Sequence, residues 1–102
     1  MQRLKDRPIS EKEITKSIRD YLKIMRIFHY KQWQGLGSLH GISDIIGIYG
    51  GKYMAIEVKR AGQNPTDKQQ QFLDRVNYEG GIAFVAYSVQ DVIQKLIKGS
   101  PT

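Results

Sequence analysis

Three carboxylates and a lysine in this 102-residue chain are spaced for chemistry on an anionic substrate. Asp44 heads the apolar run DIIGIY, and Glu57-Val58-Lys59 closes the run KYMAIEVK. Strand side chains alternate faces, so over residues 52–59 Tyr53, Ala55, Glu57 and Lys59 point one way and Met54, Ile56 and Val58 the other. Glu57 and Lys59 are then neighbours at a strand's end. Gly50-Gly51 separates the two runs and tolerates the positive φ angles of a two-residue hairpin turn. That turn pairs position 49 with 52 and 46 with 55, and sets Asp44 opposite Glu57. Two carboxylates directly across a ladder stand about 5 Å apart and destabilise the pairing. Their repulsion is about 1 kcal/mol in water and about 4 kcal/mol at an effective dielectric near 20. Thr or Ser would serve the strand better, so a cation is expected between them, either Lys59 or a divalent metal.

A helix supplies the third carboxylate. Ser10 and Glu13 are spaced as a capping box, and Ile14, Ile18, Tyr21, Leu22 and Met25 recur at helical intervals, predicting a helix over about 10–26. At about 100° per residue, Glu11 falls within roughly 40° of the apolar stripe and Glu13 about 120° from it. Glu11 is therefore expected to reach over the sheet, and Glu13 to serve the cap. Lys12, Lys16, Arg19, Lys23 and Arg26 form a basic stripe expected on the opposite side, either a solvated face or a track for phosphates.

The remaining elements frame these groups. Residues 27–33 (IFHYKQW) read as a strand and 34–43 (QGLGSLHGIS) as a loop. Strands follow at 44–49 and 52–59, then a loop at 60–65. Thr66 to Gln69 form a second capping box, opening a helix with Phe72, Leu73 and Val76 inward that ends before Gly80-Gly81. Residues 82–87 are a strand buried on both faces. Ser88 caps a last helix carrying Val89, Val92, Ile93, Leu96 and Ile97, which stops at Gly99. The order α-β-β-β-α-β-α predicts one mixed α/β domain over 1–102, with a hairpin and one crossover strand.

Composition narrows the chemistry. No Cys is present, which excludes disulfides, thiolate nucleophiles and Cys-ligated metals and makes a reducing cytosol the natural setting. No phosphate loop of the Walker type occurs, and His29 and His40 lack the spacing of a metal pair. No run spans a bilayer and no secretory leader is expected. Trp33 and the tyrosines read as core or loop anchors. The net charge is +6, with nine of the sixteen cations and four of the ten anions in residues 1–31, so nucleic acid is the first candidate partner. Hard oxygen ligands on a basic protein suit Mg²⁺ or Mn²⁺ and phosphodiester hydrolysis.

Gly41-Ile42-Ser43-Asp44, twelve residues and then Glu57-Val58-Lys59 resemble the D…ExK signature of the PD-(D/E)XK nuclease superfamily. The run from Gly41 to Val85 resembles the virus-type replication-repair nuclease (VRR-NUC) family, and SEKEITKSIRDYL and the Thr66-x-x-Gln69 helix start extend the likeness. The resemblance implies a restriction-endonuclease-like α-β-β-β-α-β core with a mixed central sheet and a C-terminal helix. It implies that Asp44, Glu57 and the backbone carbonyl of Val58 ligate Mg²⁺ or Mn²⁺, with Glu11 completing the site through water. Lys59 would orient or activate the attacking water, and Gln69 would support the site or the scissile phosphate. Lys12, Lys16, Arg19, Lys23 and Arg60 would contact DNA. Two departures stand out: Thr15 where the family often has Gln, and FHYKQWQG where it often has Arg-x-Asn.

The implied activity is a DNA endonuclease of the stand-alone bacterial or phage type, cytoplasmic, acting on branched DNA such as four-way junctions or on duplex. A symmetric homodimer is expected, because one metal centre cuts one strand at a time. Ile24, Ile27, Phe28, Trp33, Leu36 and Leu39 offer spare apolar surface for it. Two other readings stay open at this level: a non-catalytic DNA-binding module, and a nuclease subunit whose partner supplies specificity.

Overall fold

The computed structural model describes residues 8–35 and 38–99, in the order α1 (Glu11–Ile24), β1 (His29–Lys31), β2 (Ile45–Tyr49), β3 (Lys52–Val58), α2 (Asp67–Tyr78), β4 (Ile82–Ala86) and α3 (Val89–Gly99). The strands form one mixed sheet in the order β1-β2-β3-β4, antiparallel except for the parallel pair β3–β4. The expected architecture is the observed one.

The hairpin has the expected register. Gly50 (φ 58°) and Gly51 (φ 80°) both take left-handed angles, and Tyr49 pairs with Lys52 and Ile45 with Ile56. Two positive φ angles in a two-residue loop twist with the strands rather than against them, so no residue is spent on a bulge. Asp44 therefore lies one step past the last β2–β3 pair, opposite Glu57.

The sheet has a core on each face. On one, Ile14, Ile18 and Leu22 of α1 and Val92 and Leu96 of α3 pack on Ile45, Met54, Ile56, Val58, Phe84 and Ala86. On the other, Leu73 of α2 packs with Ile46, Ala55 and Ala83, and Phe72, Val76 and Val85 flank it. The period-2 alternation of β3 and β4 feeds both cores, which is why β4 is apolar along its length.

Both capping boxes form. Ser10 accepts from the Glu13 amide while Glu13 accepts from the Ser10 amide, and Thr66 and Gln69 repeat the exchange. Helix α1 ends two residues before the expected 26. Arg26 sits at φ 58°, with its amide on Lys23 O and the Ile27 amide on Leu22 O, the paired bonds of a left-handed C-terminal cap. Met25, expected on the core stripe, is turned outward and exposed as a result. On α3 Val92 and Leu96 hold the core, while Ile97 is exposed. Strand β1 is three residues long rather than seven, and its partner Gly47 approaches Phe28 O too closely for any side chain. Among the described residues no helix is long and apolar enough to cross a membrane.

Candidate active site

The site is built at the end of the sheet where β2 begins and β3 finishes. The Gln32 amide donates to Asp44 O at 2.8 Å, so Asp44 continues the β1–β2 ladder. The Asp44 side chain turns toward β3: Oδ2 accepts from the Val58 amide at 2.8 Å, and Oδ1 accepts from Gln34 Nε2 at 2.9 Å. The Lys59 amide donates to Ala86 O on the opposite side, so the Val58 N–H faces β2 and, in an extended strand, its carbonyl faces the same way. Ahead of Asp44, Gly41 (φ 75°) lets the loop lie against the Lys68 carbonyl at the start of α2, where a Cβ would collide with it. Sequence and turn thus fix Asp44 from both sides.

Glu57 is the most buried carboxylate among the described residues. It is 2% exposed, its Oε1 is buried without a hydrogen-bond partner, and its Oε2 stands 4.0 Å from Lys59 Nζ. Its carboxyl is pushed up to about 8, first by burial, then by the charge of Asp44 and a hydrogen bond shared with it; Lys59 opposes this, and Glu11 adds a smaller push. One lysine at 4.0 Å does not neutralise two crowded carboxylates. The cation expected from the sequence is only partly supplied by Lys59.

Beyond this pair opens a groove of about 850 Å³, lined by Glu11, Lys12, Thr15, Lys16, Arg19, Lys23, Lys31 and Asp44 among others. Glu11 is exposed at the mouth of α1, on the same groove as Asp44; Glu13 holds the cap and lines that groove too. The basic stripe does not lie away from the site as expected. Lys12, Lys16, Arg19 and Lys23 line the same groove, because α1 lies across the sheet with one flank open; Arg26, beyond the helix, is not among the lining residues. Lys16 is held by Asp20 at 2.8 Å, an exposed pair of small energetic worth. Arg19 is half-buried with its Nε unpartnered.

Gln69 is placed differently. Its Oε1 accepts from the Thr66 amide, and the residue lines a separate hollow with Gln34, Ser38, His40 and Lys68. Its side-chain oxygen is taken up by the cap of α2, and it does not line the groove of Glu11 and Asp44. Arg60 is exposed just past Lys59. Lys31 lines the groove and Gln34 bonds Asp44, and the sequence analysis singles out neither; the cue available is their position at and just past the end of β1, the strand that flanks Asp44.

The donor set fits a small hard cation. Two carboxylates crowd each other at a strand end, one oxygen of Glu57 is buried without a partner, and the Val58 carbonyl faces the β2 side. Among the described residues no three His, Cys, Asp or Glu side chains gather closely enough to hold an ion by themselves. Glu11 therefore does not close a three-acid cage. One or two carboxylates with water making up the shell is the usual manner of holding Mg²⁺.

The VRR-NUC domain family model matches residues 2–90. A solved structure described as a VRR_NUC domain protein superposes with a TM-score of 0.72 over 90% of this chain and 91% of its own, at 22% identity. At that identity the likeness speaks to the fold. No curated protein matches the chain.

Proposed function

The chain belongs to the VRR-NUC domain family, a nuclease-type domain, and from that premise we propose that it is a Mg²⁺- or Mn²⁺-dependent DNA endonuclease cutting at Asp44, Glu57 and Lys59. The observation that carries the reading is the buried Glu57 carboxylate crowded by Asp44, with Lys59 beside it and Asp44 itself on a groove lined by Lys12, Lys16, Arg19, Lys23 and Lys31 as well as by Glu11, Glu13 and Asp20. Asp44, Glu57 and the Val58 carbonyl would hold the ion, with Glu11 reaching it through water. When bound, it supplies positive charge that relieves the two carboxylates and polarises the scissile phosphate.

The chain's own groups do the rest. Val58 N–H and Gln34 keep Asp44 in one orientation, so little reorganisation remains for the reaction step. The Lys59 ammonium, tethered near Glu57, orients the attacking water and donates to a non-bridging phosphate oxygen as charge builds there. Lys12, Lys16, Arg19, Lys23 and Lys31 line a path for the phosphate backbone, and Arg60 adds a cation past the strand end. Gln69 acts indirectly, by fixing the start of α2 against the Gly41 loop. A module that merely bound DNA would gain nothing from crowding a buried carboxylate against a second one. Incubating the protein with duplex, flap, splayed and four-way DNA, in Mg²⁺ or EDTA, tests the activity and its preference; four-way junctions are the expected best substrate, and no cleavage of any substrate in Mg²⁺ or Mn²⁺ would refute the reading.

We place the working unit as a symmetric dimer in the cytoplasm of a bacterium or phage-infected cell, the whole chain forming one domain. Helix α2 covers β3, β4 and Ile46 of β2, but leaves β1 and the Ile48 end of β2 bare on that face. Phe28 (65% exposed), Tyr30 (46%), Ile48 (51%) and Tyr53 (45%) share it, with the Phe28 and Tyr30 rings edge to face at 6.4 Å. Half-bare side chains of this size leave about 400 Å² per chain, and a symmetric pair with its rim reaches the roughly 1,000 Å² a specific interface needs. Ile24, Trp33 and Leu39 are exposed as expected, Ile27 packs on the core, and Leu36 lies outside the described residues. Light scattering should give twice the 11.7 kDa chain mass, and Ile48→Asp should return it to one. A wild-type species of single-chain mass with and without a junction would overturn the dimer.

A further inference from the structure

Asp44 carries two protein hydrogen bonds of different origin. The bond from the Val58 amide crosses from the end of β3 to the Asp44 side chain, just past the last β2–β3 pair. The bond from Gln34 Nε2 comes from a stretch ten residues earlier, outside any strand. That stretch is nevertheless shaped. The Gln32 amide is anchored on Asp44 O, Gln32 Nε2 donates to Trp33 O at 2.9 Å, and the Trp33 ring lies so close over Gly35 that no Cβ would fit there. Ser38 closes it by donating from both its amide and its hydroxyl to Gly35 O. Gln34 is thus delivered to Asp44 by backbone geometry.

We propose that Gln34 is a positioning residue for Asp44, holding its carboxylate in the orientation that meets Glu57 and thereby setting the affinity of the site for a divalent cation. The inference rests on the metal-site reading above. An amide suits the task because it is a neutral donor. It fixes one oxygen of Asp44 without taking its charge, and an oxygen accepting one N–H keeps a lone pair for an ion. A lysine there would compete with the cation, and an acid would add a third repelling charge. The partners behind a ligating carboxylate typically matter 10–100-fold in metal affinity (about that range).

The test is a Mn²⁺ titration of the full chain, followed by the electron paramagnetic resonance of the free ion. Gln34→Ala, and Gln34→Met which keeps the bulk, should weaken Mn²⁺ binding by about 10–100-fold. Because Gln34 is exposed, the melting midpoint in EDTA should not change. Cleavage should recover when Mn²⁺ is raised to saturation, which separates an orienting role from a direct part in the reaction. Both variants binding Mn²⁺ as the wild type does would overturn the proposal while leaving the metal site standing. A wild-type chain that fails to bind Mn²⁺ would instead overturn the site itself, and this inference with it.

Discussion

Removing the charge of Glu57 should stabilise the protein when no divalent ion is present, and the effect should grow with pH. Glu57 is 2% exposed and its carboxyl is pushed up to about 8, whereas in the unfolded chain it ionises near 4.5. Below 4.5 both states hold the proton and nothing is lost. Between 4.5 and about 8 the unfolded chain has released it and the folded chain has not, so unfolding liberates a proton and stability falls as pH rises. Above about 8 both states are ionised and the loss is complete. At about 1.4 kcal/mol per tenfold change, the full gap corresponds to roughly 5 kcal/mol. Relaxation around the buried charge trims this, and about 2–4 kcal/mol is the expected difference at pH 9. Against a stability of about 5–15 kcal/mol for a domain, that is a large share. Glu57→Gln keeps the shape and a donor for Asp44 but does not titrate. Urea unfolding in EDTA at pH 5, 7 and 9 should show wild type losing stability relative to the variant, with Mg²⁺ restoring wild type alone. Asp44→Asn should remove the part of the effect that comes from charge and leave the part that comes from burial. Parallel curves for wild type and Glu57→Gln would refute the reasoning.

Other expectations follow from the same geometry. Lys59→Ala should lower the cleavage rate by about 100-fold or more while DNA affinity changes little, because its contribution grows as charge develops on the phosphate; single-turnover kinetics with a binding titration separates the two. Glu11→Gln should raise the Mg²⁺ concentration needed for cleavage. Glu13→Gln should cost less than about 1 kcal/mol, since Gln also completes a capping box; reversed effects would contradict the placement of the two acids on α1. Arg26→Gly should stabilise the fold by about 0.5–1 kcal/mol in urea unfolding, the relief of a left-handed angle exceeding the added chain entropy.

Much of the site was legible because it depends on local rules. Gly50-Gly51 admits one tight hairpin, and that register alone brings Asp44 to Glu57 across residues of no obvious kinship. The capping boxes at Ser10 and Thr66 likewise carry their own geometry, and the first separates Glu13 from Glu11. What escaped depends on tertiary contact. Arg26 gives no sign that it will turn left-handed, since a glycine is the usual marker, so the helix was read too long. Tyr30, Ile48 and Tyr53 carry strand alternation fit for a core, yet the α2 packing on that face stops at Ile46 and Ala55, so they stay bare. Lys31 and Gln34 matter only because the β1–β2 pairing sets them beside Asp44. Gln69 matched a functional pattern and a capping pattern at once, and its side-chain oxygen is used by the cap.

The central claim is that Asp44 and Glu57 hold the cation that permits DNA cleavage, and a paired cleavage and binding measurement tests it most directly. Wild type, Asp44→Asn and Glu57→Gln would be compared on one DNA substrate, for cleavage in Mg²⁺ or Mn²⁺ against EDTA and for affinity in EDTA. The wild type should cut only with the ion, and both variants should bind the DNA at least as well yet fail to cut. Ion-dependent cleavage retained by either variant would contradict the account.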